Sequence, residues 1–360
     1  MPKVSVLMPM YNSAKSVTYS IDAVLNQTLN DVEIVVVDDC SPDNEYELCK
    51  EKYKDDNRVI LIKQETNQGP AAARNKALEI ATGDYITYLD SDDGMIRDAL
   101  ENLYNTAIKY NADVVHTTGC YLPVHKPDVY DMMSVSEDFY IHKDKDKDPV
   151  SEITLLTDDL SDRVDNFILG KYNGNVWGKM FRRSFLIENK IEFANLKMSE
   201  DTIFALECLL KAKTYVLYPY KCILYRFIGD SLSRGTKTSG FMVKTLDAVF
   251  GGNITINNRL NTIEYFNDNK EYRDKILNYI NNVMDLYYTV PTYQTVGRDA
   301  ILKDTKIDEI WDKYFGNQST FIKMYFYDRL DKMEKIPDIA GASPTYEQCL
   351  ELSKNNKVTG

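Results

Sequence analysis

Residues 90–93 read Asp90-Ser91-Asp92-Asp93, directly after the apolar run Tyr85 to Leu89. Two carboxylates one residue apart, in a loop behind a buried strand, suit a hard divalent cation that keeps waters and shares a diphosphate's oxygens. The other use of these residues is to cap the helical pattern beginning near Arg97, since Asp is a favoured N-cap. Three more polar clusters follow strand-like runs in the same way: Pro9-Met10-Tyr11-Asn12, Asp38-Asp39-Cys40-Ser41 and Glu65-Thr66-Asn67-Gln68-Gly69. Four in succession make one site, because ligands of open α/β sheets bind where loops converge outside the carboxyl ends of the strands. In Asn67-Gln68-Gly69-Pro70-Ala71-Ala72-Ala73-Arg74-Asn75 a glycine turn precedes a small-residue helix with Arg74 one turn inside. The alanines let that helix approach other backbone closely, which can turn Arg74 and Asn75 toward a nucleotide. Further on, Ser199-Glu200-Asp201 opens a second apolar helical pattern, Ile203, Phe204, Leu206, Leu209 and Leu210. Its carboxylates either complement the positive helix end, with Ser199 as cap, or act as a general base.

The elements that must hold these loops are legible as alternation. Residues 4–8, 32–37, 59–63, 85–89 and 113–117 are short β-branched or aromatic runs, separated by helical patterns near 14–26, 44–56, 70–81 and 97–109. Pro70 fits a first helical turn, where its missing N–H costs nothing, and Gly83 fits just past the helix end. Strand and helix alternating at this spacing predict βαβ units and a mainly parallel sheet over residues 1–120. The near-continuous apolar character of 32–37 agrees, since a strand covered on both faces loses its polar alternation. From 121 to 165 the pattern breaks, with Pro123, Pro127, the run Lys143 to Asp148 and Pro149, and reads as a loop or insertion. Pattern resumes at Phe167 to Leu186, at Asp201 to Ala212 as a helix, and at Tyr215 to Phe227 as a strand. The segment 121–239 therefore reads as the second half of one catalytic domain. Residues 240–360 read as a separate helical domain, with amphipathic patterns near 243–259, 270–288, 305–315, 319–333 and 344–355. Tyrosines 265, 272, 279, 287, 288, 293 and 314 in that region suit a core more than sugar stacking.

Composition narrows the function classes. Lys+Arg number 43 and Asp+Glu 55, so the formal charge is 43 − 55 = −12. A surface this acidic, without clustered basic residues, excludes a generic nucleic-acid partner. Any phosphate must be met locally, by a metal ion or a few placed cations. With 44% hydrophobic and 27% charged residues, the 360-residue chain can bury a full core, and at roughly 100–200 residues per domain it holds about two domains. No apolar run approaches the roughly 20 residues that cross a bilayer. Lys3 to Met8 leads directly into a strand, so a cytoplasmic site is expected, with peripheral contact at the inner membrane face as the remaining option. The helical C-terminal region offers surface for acceptor, membrane or a second subunit. Six scattered cysteines and three histidines indicate neither a disulfide framework nor structural zinc.

Taken together, Val6-Leu7-Met8-Pro9-Met10-Tyr11-Asn12, Val37-Asp38-Asp39-Cys40-Ser41, Asn67-Gln68-Gly69 to Ala73-Arg74-Asn75, Gly83-Asp84-Tyr85 to Asp90-Ser91-Asp92-Asp93 and the later Glu200-Asp201 resemble the family 2 glycosyltransferases. The likeness spans residues 3–235. Each motif is common; the set in this order is specific. It implies the nucleotide-sugar-binding α/β fold called GT-A, a UDP-sugar donor, Mg2+ or Mn2+, and an acceptor hydroxyl on a glycan, a lipid-linked chain or a wall polymer. By that likeness Pro9, Tyr11 and Asp39 line the uracil pocket, with Tyr11 stacking on the base and Asp39 accepting its imide N–H. Asn12, Asn67, Gly69 and Ser91 belong to the same nucleotide-binding loops, and Arg74 reaches the base or ribose edge. Asp90 meets the ribose or a metal-bound water, and Asp92 the metal. The base is a carboxylate of the Glu200-Asp201 pair, Asp201 first and Glu200 in reserve. On the acceptor or diphosphate side, Trp177 stacks on a sugar or sits in the core, Lys179 holds a polar group or a phosphate, and Ser231, Ser233 or Arg234 meets the diphosphate. The family also implies inversion at the anomeric carbon.

Rival motifs fail on spacing. Asp144 to Asp148 mimics the start of a calcium loop, but Pro149 stands at its required glycine and Leu155 at its terminal glutamate. Residues 174–179 lack a phosphate loop's glycine spacing, and no G-x-G-x-x-G follows the first strand. Two other readings remain: a non-catalytic sugar-nucleotide-binding subunit, and a sugar nucleotidyltransferase. The latter usually carries a Gly-rich basic loop after the first strand, which Pro9 to Asn12 lack.

Overall fold

The computed structural model describes residues 1–123, 140–142, 152–225 and 236–333. Ser231, Ser233, Arg234, the charged run 143–148 and the helical pattern 344–355 lie outside the described residues. The described chain divides into two compact units. The first draws on the described residues of Met1–Arg163, Asn173–Asn195 and Glu200–Ile228; the second on those of Val164–Tyr172, Leu196–Ser199 and Gly229–Gly360. The segment 121–239 thus contributes to both.

The first unit holds a ten-stranded mixed sheet. Its strands are β1 (Val4–Met10), β2 (Val32–Asp38), β3 (Val59–Lys63), β4 (Tyr85–Tyr88), β5 (Gly94–Met95), β6 (Val114–Pro123), β7 (Tyr140–His142), β8 (Thr154–Leu155), β9 (Lys179–Arg182) and β10 (Tyr215–Leu224). They run in the order β3-β2-β1-β4-β9-β6-β10-β5, with β7 added on β6 and β8 on β10. The first four are parallel, in register Val6 to Ile34 and Thr87, and β6 is parallel to β10. Between them β9 runs antiparallel to both β4 and β6. The architecture is the expected α/β sheet. The helices between the strands are α1 (Val17–Leu25), α2 (Glu45–Lys52), α3 (Pro70–Ile80) and α4 (Ala99–Lys109). They are followed by α5 (Leu160–Ile168), α6 (Arg183–Glu188) and α7 (Glu200–Lys211).

All seven residues of β2 are buried, which accounts for its near-continuous apolar run. Its one polar member inside the run, Glu33, accepts from Ser5 Oγ at 2.6 Å and from the Thr82 N–H at 2.6 Å, so it ties β1, β2 and the α3–β4 connection together. Two features depart from the sequence reading. The stretch 121–165 is not simply a loop, since β6 reaches Pro123 and the described remainder adds β7, β8 and the start of α5. The antiparallel β9 was not separable from its apolar surroundings, because four residues are too few to show a period.

The second unit is helical. Its longest helix, α8 (Ser239–Leu260), is capped by Thr238, whose Oγ1 accepts from the Phe241 N–H at 3.1 Å. Helices Lys270–Met284, Thr305–Phe315 and Ser319–Asp331 fall on the expected patterns, and a π-turn, Asp285–Thr289, follows the first of them. Its core centres on Trp311, packed with Met242, Leu246, Val290, Tyr293 and Tyr327. Among the expected tyrosines, Tyr293 is buried and the others are half-buried. No described helix is long and apolar enough to cross a membrane.

Candidate active site

Because β1 to β4 are parallel, the loops after them leave from one edge of the sheet, and backbone bonds fasten them side by side. The Asp39 N–H donates to Met10 O at 2.9 Å, Gln64 N–H to Asp38 O at 2.8 Å and Leu89 N–H to Leu7 O at 3.1 Å. Tyr11 is 50% exposed, Asn12 and Asn67 are exposed and Pro9 is half-buried, so these residues face solvent at that edge. Asn12 and Cys40 are held at φ 52° and 58°, a left-handed backbone that non-glycine residues rarely adopt. Asp39 is buried and committed: it accepts from Gln64 Nε2 at 2.9 Å, Gln68 N–H at 2.7 Å and Gly69 N–H at 2.7 Å. A carboxylate offers about four acceptor positions, so roughly one is left for an imide N–H. Gly69, at φ 93°, closes the turn in which Pro70 opens α3.

Arg74 joins two parts of the site from inside. Ala71, Ala73 and Ala77 are buried, so α3 lies close on the sheet and carries Arg74 inward, to 7% exposure. A buried guanidinium needs anionic partners. It finds Glu200 Oε1 at 2.9 Å from Nη1 and Asp90 Oδ1 at 3.0 Å from Nη2, with its plane over Phe193 at 5.3 Å. Burial opposes the charge, but Asp90, Glu200 and Asp201 outweigh it and hold Arg74 more strongly protonated than usual. Arg74 thus bridges a carboxylate after β4 to one opening α7.

Glu200 is 7% exposed and Asp201 half-buried. Burial first, and then the neighbouring Glu200 charge, push the Asp201 carboxyl well above an ordinary aspartate, against the pull of Arg74. Its Oδ1 accepts from the Thr202 N–H at 2.8 Å. Ser199 does not play the cap: it sits at φ 65° and its hydroxyl donates to Met284 Sδ at 3.0 Å. The loop 173–175 lies against this first turn, since a Cβ on Gly174 would meet Thr202 Oγ1 at 2.7 Å. Lys179, on β9, anchors that loop from inside. It is buried, and its Nζ donates to Asn173 O at 3.1 Å, to Asn173 Oδ1 at 2.6 Å and to Asn175 O. Burial lowers its pKa while Asp201 works the other way. All three ammonium protons are thus used within the loop, so Lys179 holds protein rather than a ligand phosphate. Trp177 is half-buried, tilted against Tyr225 with ring centroids 6.0 Å apart.

The 90–93 turn is closed by the Asp93 N–H on Asp90 O at 3.1 Å. Ser91 and Asp93 are buried, Asp92 is half-buried, and the Asp90 side chain is one-third exposed at 33% with one oxygen on Arg74. Among the described residues no three His, Cys, Asp or Glu side chains gather as a metal cage. Asp92 and the second oxygen of Asp90 do fit a cation that takes one or two protein carboxylates and completes its shell with ligand oxygens and water, as Mg2+ does. Sequence reasoning missed Phe193 under Arg74, and also Ser13 and Glu45, whose side chains meet where the loops after β1 and β2 adjoin. Glu45 carries the ordinary signature of an acidic residue in a first helical turn, and only its tertiary partners distinguish it.

Known proteins agree with this architecture. The profile of glycosyl transferase family 2 matches residues 5–145. An uncharacterized glycosyltransferase of Haemophilus influenzae is 32% identical over 64% of this chain and 80% of its own length. The Staphylococcus aureus poly(ribitol-phosphate) beta-N-acetylglucosaminyltransferase TarP is 33% identical over 67% of this chain and 68% of its own. The crystal structure of S. aureus TarS 1–349 in complex with UDP-GlcNAc covers 91% of this chain and 92% of its own, at a TM-score of 0.53 and 20% identity. Against some other curated relatives the chain spans only about a third of their length. On the fold, the edge-loop site and these relatives, the chain belongs to glycosyl transferase family 2.

Proposed function

We propose that this chain moves a sugar from a UDP-sugar, with inversion, to a hydroxyl of a glycan, lipid-linked or wall-polymer acceptor, in the cytoplasm or at the inner face of the membrane. The single observation that carries the proposal is Arg74, which ties donor-side Asp90 to acceptor-side Glu200 at 3.0 and 2.9 Å. One rigid cation thereby fixes the spacing between the carboxylate that would sit by the leaving diphosphate and the pair that would sit by the attacking hydroxyl. TarP acts by name on a poly(ribitol-phosphate), and TarS holds UDP-GlcNAc, which supports a UDP-sugar donor and a wall-type acceptor.

Chemically, the reaction needs a base for the acceptor proton and relief for charge on the departing diphosphate. Glu200 is committed to Arg74, so Asp201 is the base. Its raised proton affinity suits it to take the hydroxyl proton, a contribution of about 10²- to 10⁴-fold. Mg2+ or Mn2+, held by Asp92 with Asp90, supplies Lewis-acid stabilisation of the diphosphate when bound. Tyr11 and the 68–69 turn orient the nucleotide, and Trp177 borders the acceptor side.

A panel of UDP-sugars, assayed for UDP release with and without Mg2+ or Mn2+, tests this. One donor should be turned over, Asp92→Asn should weaken metal-dependent UDP binding, and Asp201→Asn should bind UDP without transfer. UDP binding with no turnover of any donor would favour a non-catalytic subunit, and normal transfer by both variants would end the proposal.

A further inference from the structure

The loops bearing Tyr11 and Asp39 are joined by a buried carboxyl group that the chemistry above does not use. Glu45, in the first turn of α2, is fully buried. Its Oε2 accepts from the Ser13 N–H, and from Ser13 Oγ at 3.0 Å. Its Oε1 meets Ser41 Oγ, which also lies 2.5 Å from Asp38 Oδ1 and accepts from the Asn12 N–H at 3.3 Å.

The protons around Ser41 can be counted. A serine hydroxyl has one proton and two acceptor positions. Between two carboxylates it can satisfy only one, and the other contact would set two bare oxygens against each other in the interior. A proton on Glu45 Oε1 resolves every contact. Glu45 then donates to Ser41 Oγ, Ser41 donates to Asp38 Oδ1, and the second Ser41 lone pair takes the Asn12 N–H. Glu45 Oε2 keeps both Ser13 donors. The nearby cation selects between the two carboxyls: Asp38 Oδ2, buried and without a hydrogen-bond donor of its own, has Lys63 Nζ at 3.8 Å, and Asp38 Oδ1 also accepts the Ser41 N–H at 3.0 Å.

We infer that Glu45 is a neutral carboxylic acid at pH 7 and a positioning residue, clasping the β1–α1 loop to the β2–α2 loop so that Tyr11 and Asn12 are set against Asp39. The left-handed backbones of Asn12 and Cys40 lie on the two segments so joined, which is where a clasp is needed to hold unfavourable φ values. The surroundings agree. Burial pushes Glu45 up, and Asp43 adds to it while the Ser41 and Ser13 bonds oppose. The other titratable groups around it are Asp38 of β2 and Cys49 one turn along α2, with Asp22 of α1 and Lys52 further round the thiol. Burial pushes Cys49 up to about 12, so it stays a thiol.

The inference that this clasp tunes donor affinity rests on the proposed UDP site; the protonation itself does not. Two measurements on the full chain separate them. The first is the carboxyl 13C resonance of Glu45, assigned by its loss in Glu45→Gln, which should sit at the protonated position at pH 7. A carboxylate shift there overturns the inference. The second is UDP affinity with Mg2+ against pH. As Glu45 ionises on the alkaline side, wild-type affinity should fall about tenfold, the scale of a lost buried hydrogen-bond network. Glu45→Gln, whose amide can donate to Ser41 and accept from Ser13 at every pH, should lack that fall, beyond the uracil ionisation both share. Identical alkaline losses in the two proteins overturn the clasp. If the wild type binds no UDP at any pH, the donor reading fails, and the resonance still decides the protonation.

Discussion

Arg74 Nη1 lies 2.9 Å from Glu200 Oε1 across 126 positions of sequence, while Nη2 of the same guanidinium holds Asp90 at 3.0 Å. Removing that cation leaves Glu200 buried without its partner, which costs about 3–5 kcal/mol of stability, with little added from Asp90 because a one-third-exposed pair is screened. Arg74→Met should therefore lower the denaturation midpoint strongly. Arg74→Met with Glu200→Met should recover much of it, since both charges go together. Arg74→Lys, a point charge unable to fork toward both carboxylates, should fold better than Arg74→Met yet transfer slowly. Equal stability of wild type and Arg74→Met in urea would refute the bridge.

The raised proton affinity of Asp201 gives the pH profile a sign. A base must be ionised to act, so kcat/KM should fall as pH drops through the raised Asp201 value, at a higher pH than an ordinary aspartate would impose. Burial is the larger cause and survives in Glu200→Gln, but the Glu200 charge does not. That variant should move the acid limb to lower pH while keeping transfer. Asp201→Asn should lose about 10²- to 10⁴-fold in kcat with UDP affinity intact. Full transfer by Asp201→Asn and none by Glu200→Gln would shift the base by one residue.

The parallel half of the fold was readable because its signals are local. The apolar run of β2, Pro70 at the head of α3 and the polar clusters after β1 to β4 each declare themselves within a few residues. The site was readable only as a set of loops. That Arg74 pairs with Glu200 depends on how closely alanines let α3 approach the sheet, which no spacing expresses. Lys179 read as a candidate ligand-binding cation because a sequence does not show that its ammonium is surrounded by Asn173 and Asn175 oxygens. Glu45 looked like any acid in a first helical turn. The start of α5 was lost in a window whose prolines and charges dominate its composition.

Trp311 offers a direct measure of the helical unit. It is 1% exposed, packs on Phe250 at 4.8 Å and Phe326 at 5.3 Å, and its Nε1 donates to Tyr327 OH at 3.0 Å. Trp311→Ala should cost about 3–5 kcal/mol through lost burial and the cavity left behind. Trp311→Phe keeps most packing but removes the donor to the buried Tyr327 OH, at about 1–3 kcal/mol, and Tyr327→Phe in that background should relieve part of it. Urea midpoints of Trp311→Phe, Tyr327→Phe and the double variant close a cycle, with Trp311→Ala measured beside them, and an additive cycle would show the indole–phenol bond to be worth nothing.

Gly174 tests whether the seat of the base matters as much as the base. An added Cβ would fall 2.7 Å from Thr202 Oγ1 and 3.0 Å from its Cγ2, so either the 173–175 loop or the first turn of α7 must shift. Lys179 holds the loop from inside, which directs the shift onto Thr202 and hence onto Asp201, whose Oδ1 accepts the Thr202 N–H. Overpacking of this kind costs about 1–3 kcal/mol, and a displacement near 1 Å at a reacting group costs about 100-fold in rate. Gly174→Ala should thus lower kcat well beyond its loss of stability and leave UDP affinity unchanged, because Tyr11, Asp39 and the 68–69 turn are untouched. Thr202→Ala removes the colliding atoms while keeping the backbone N–H that Asp201 needs, so Gly174→Ala with Thr202→Ala should regain most of the lost rate. A double variant no faster than Gly174→Ala alone would mean that the loop acts on the base by some route other than this contact.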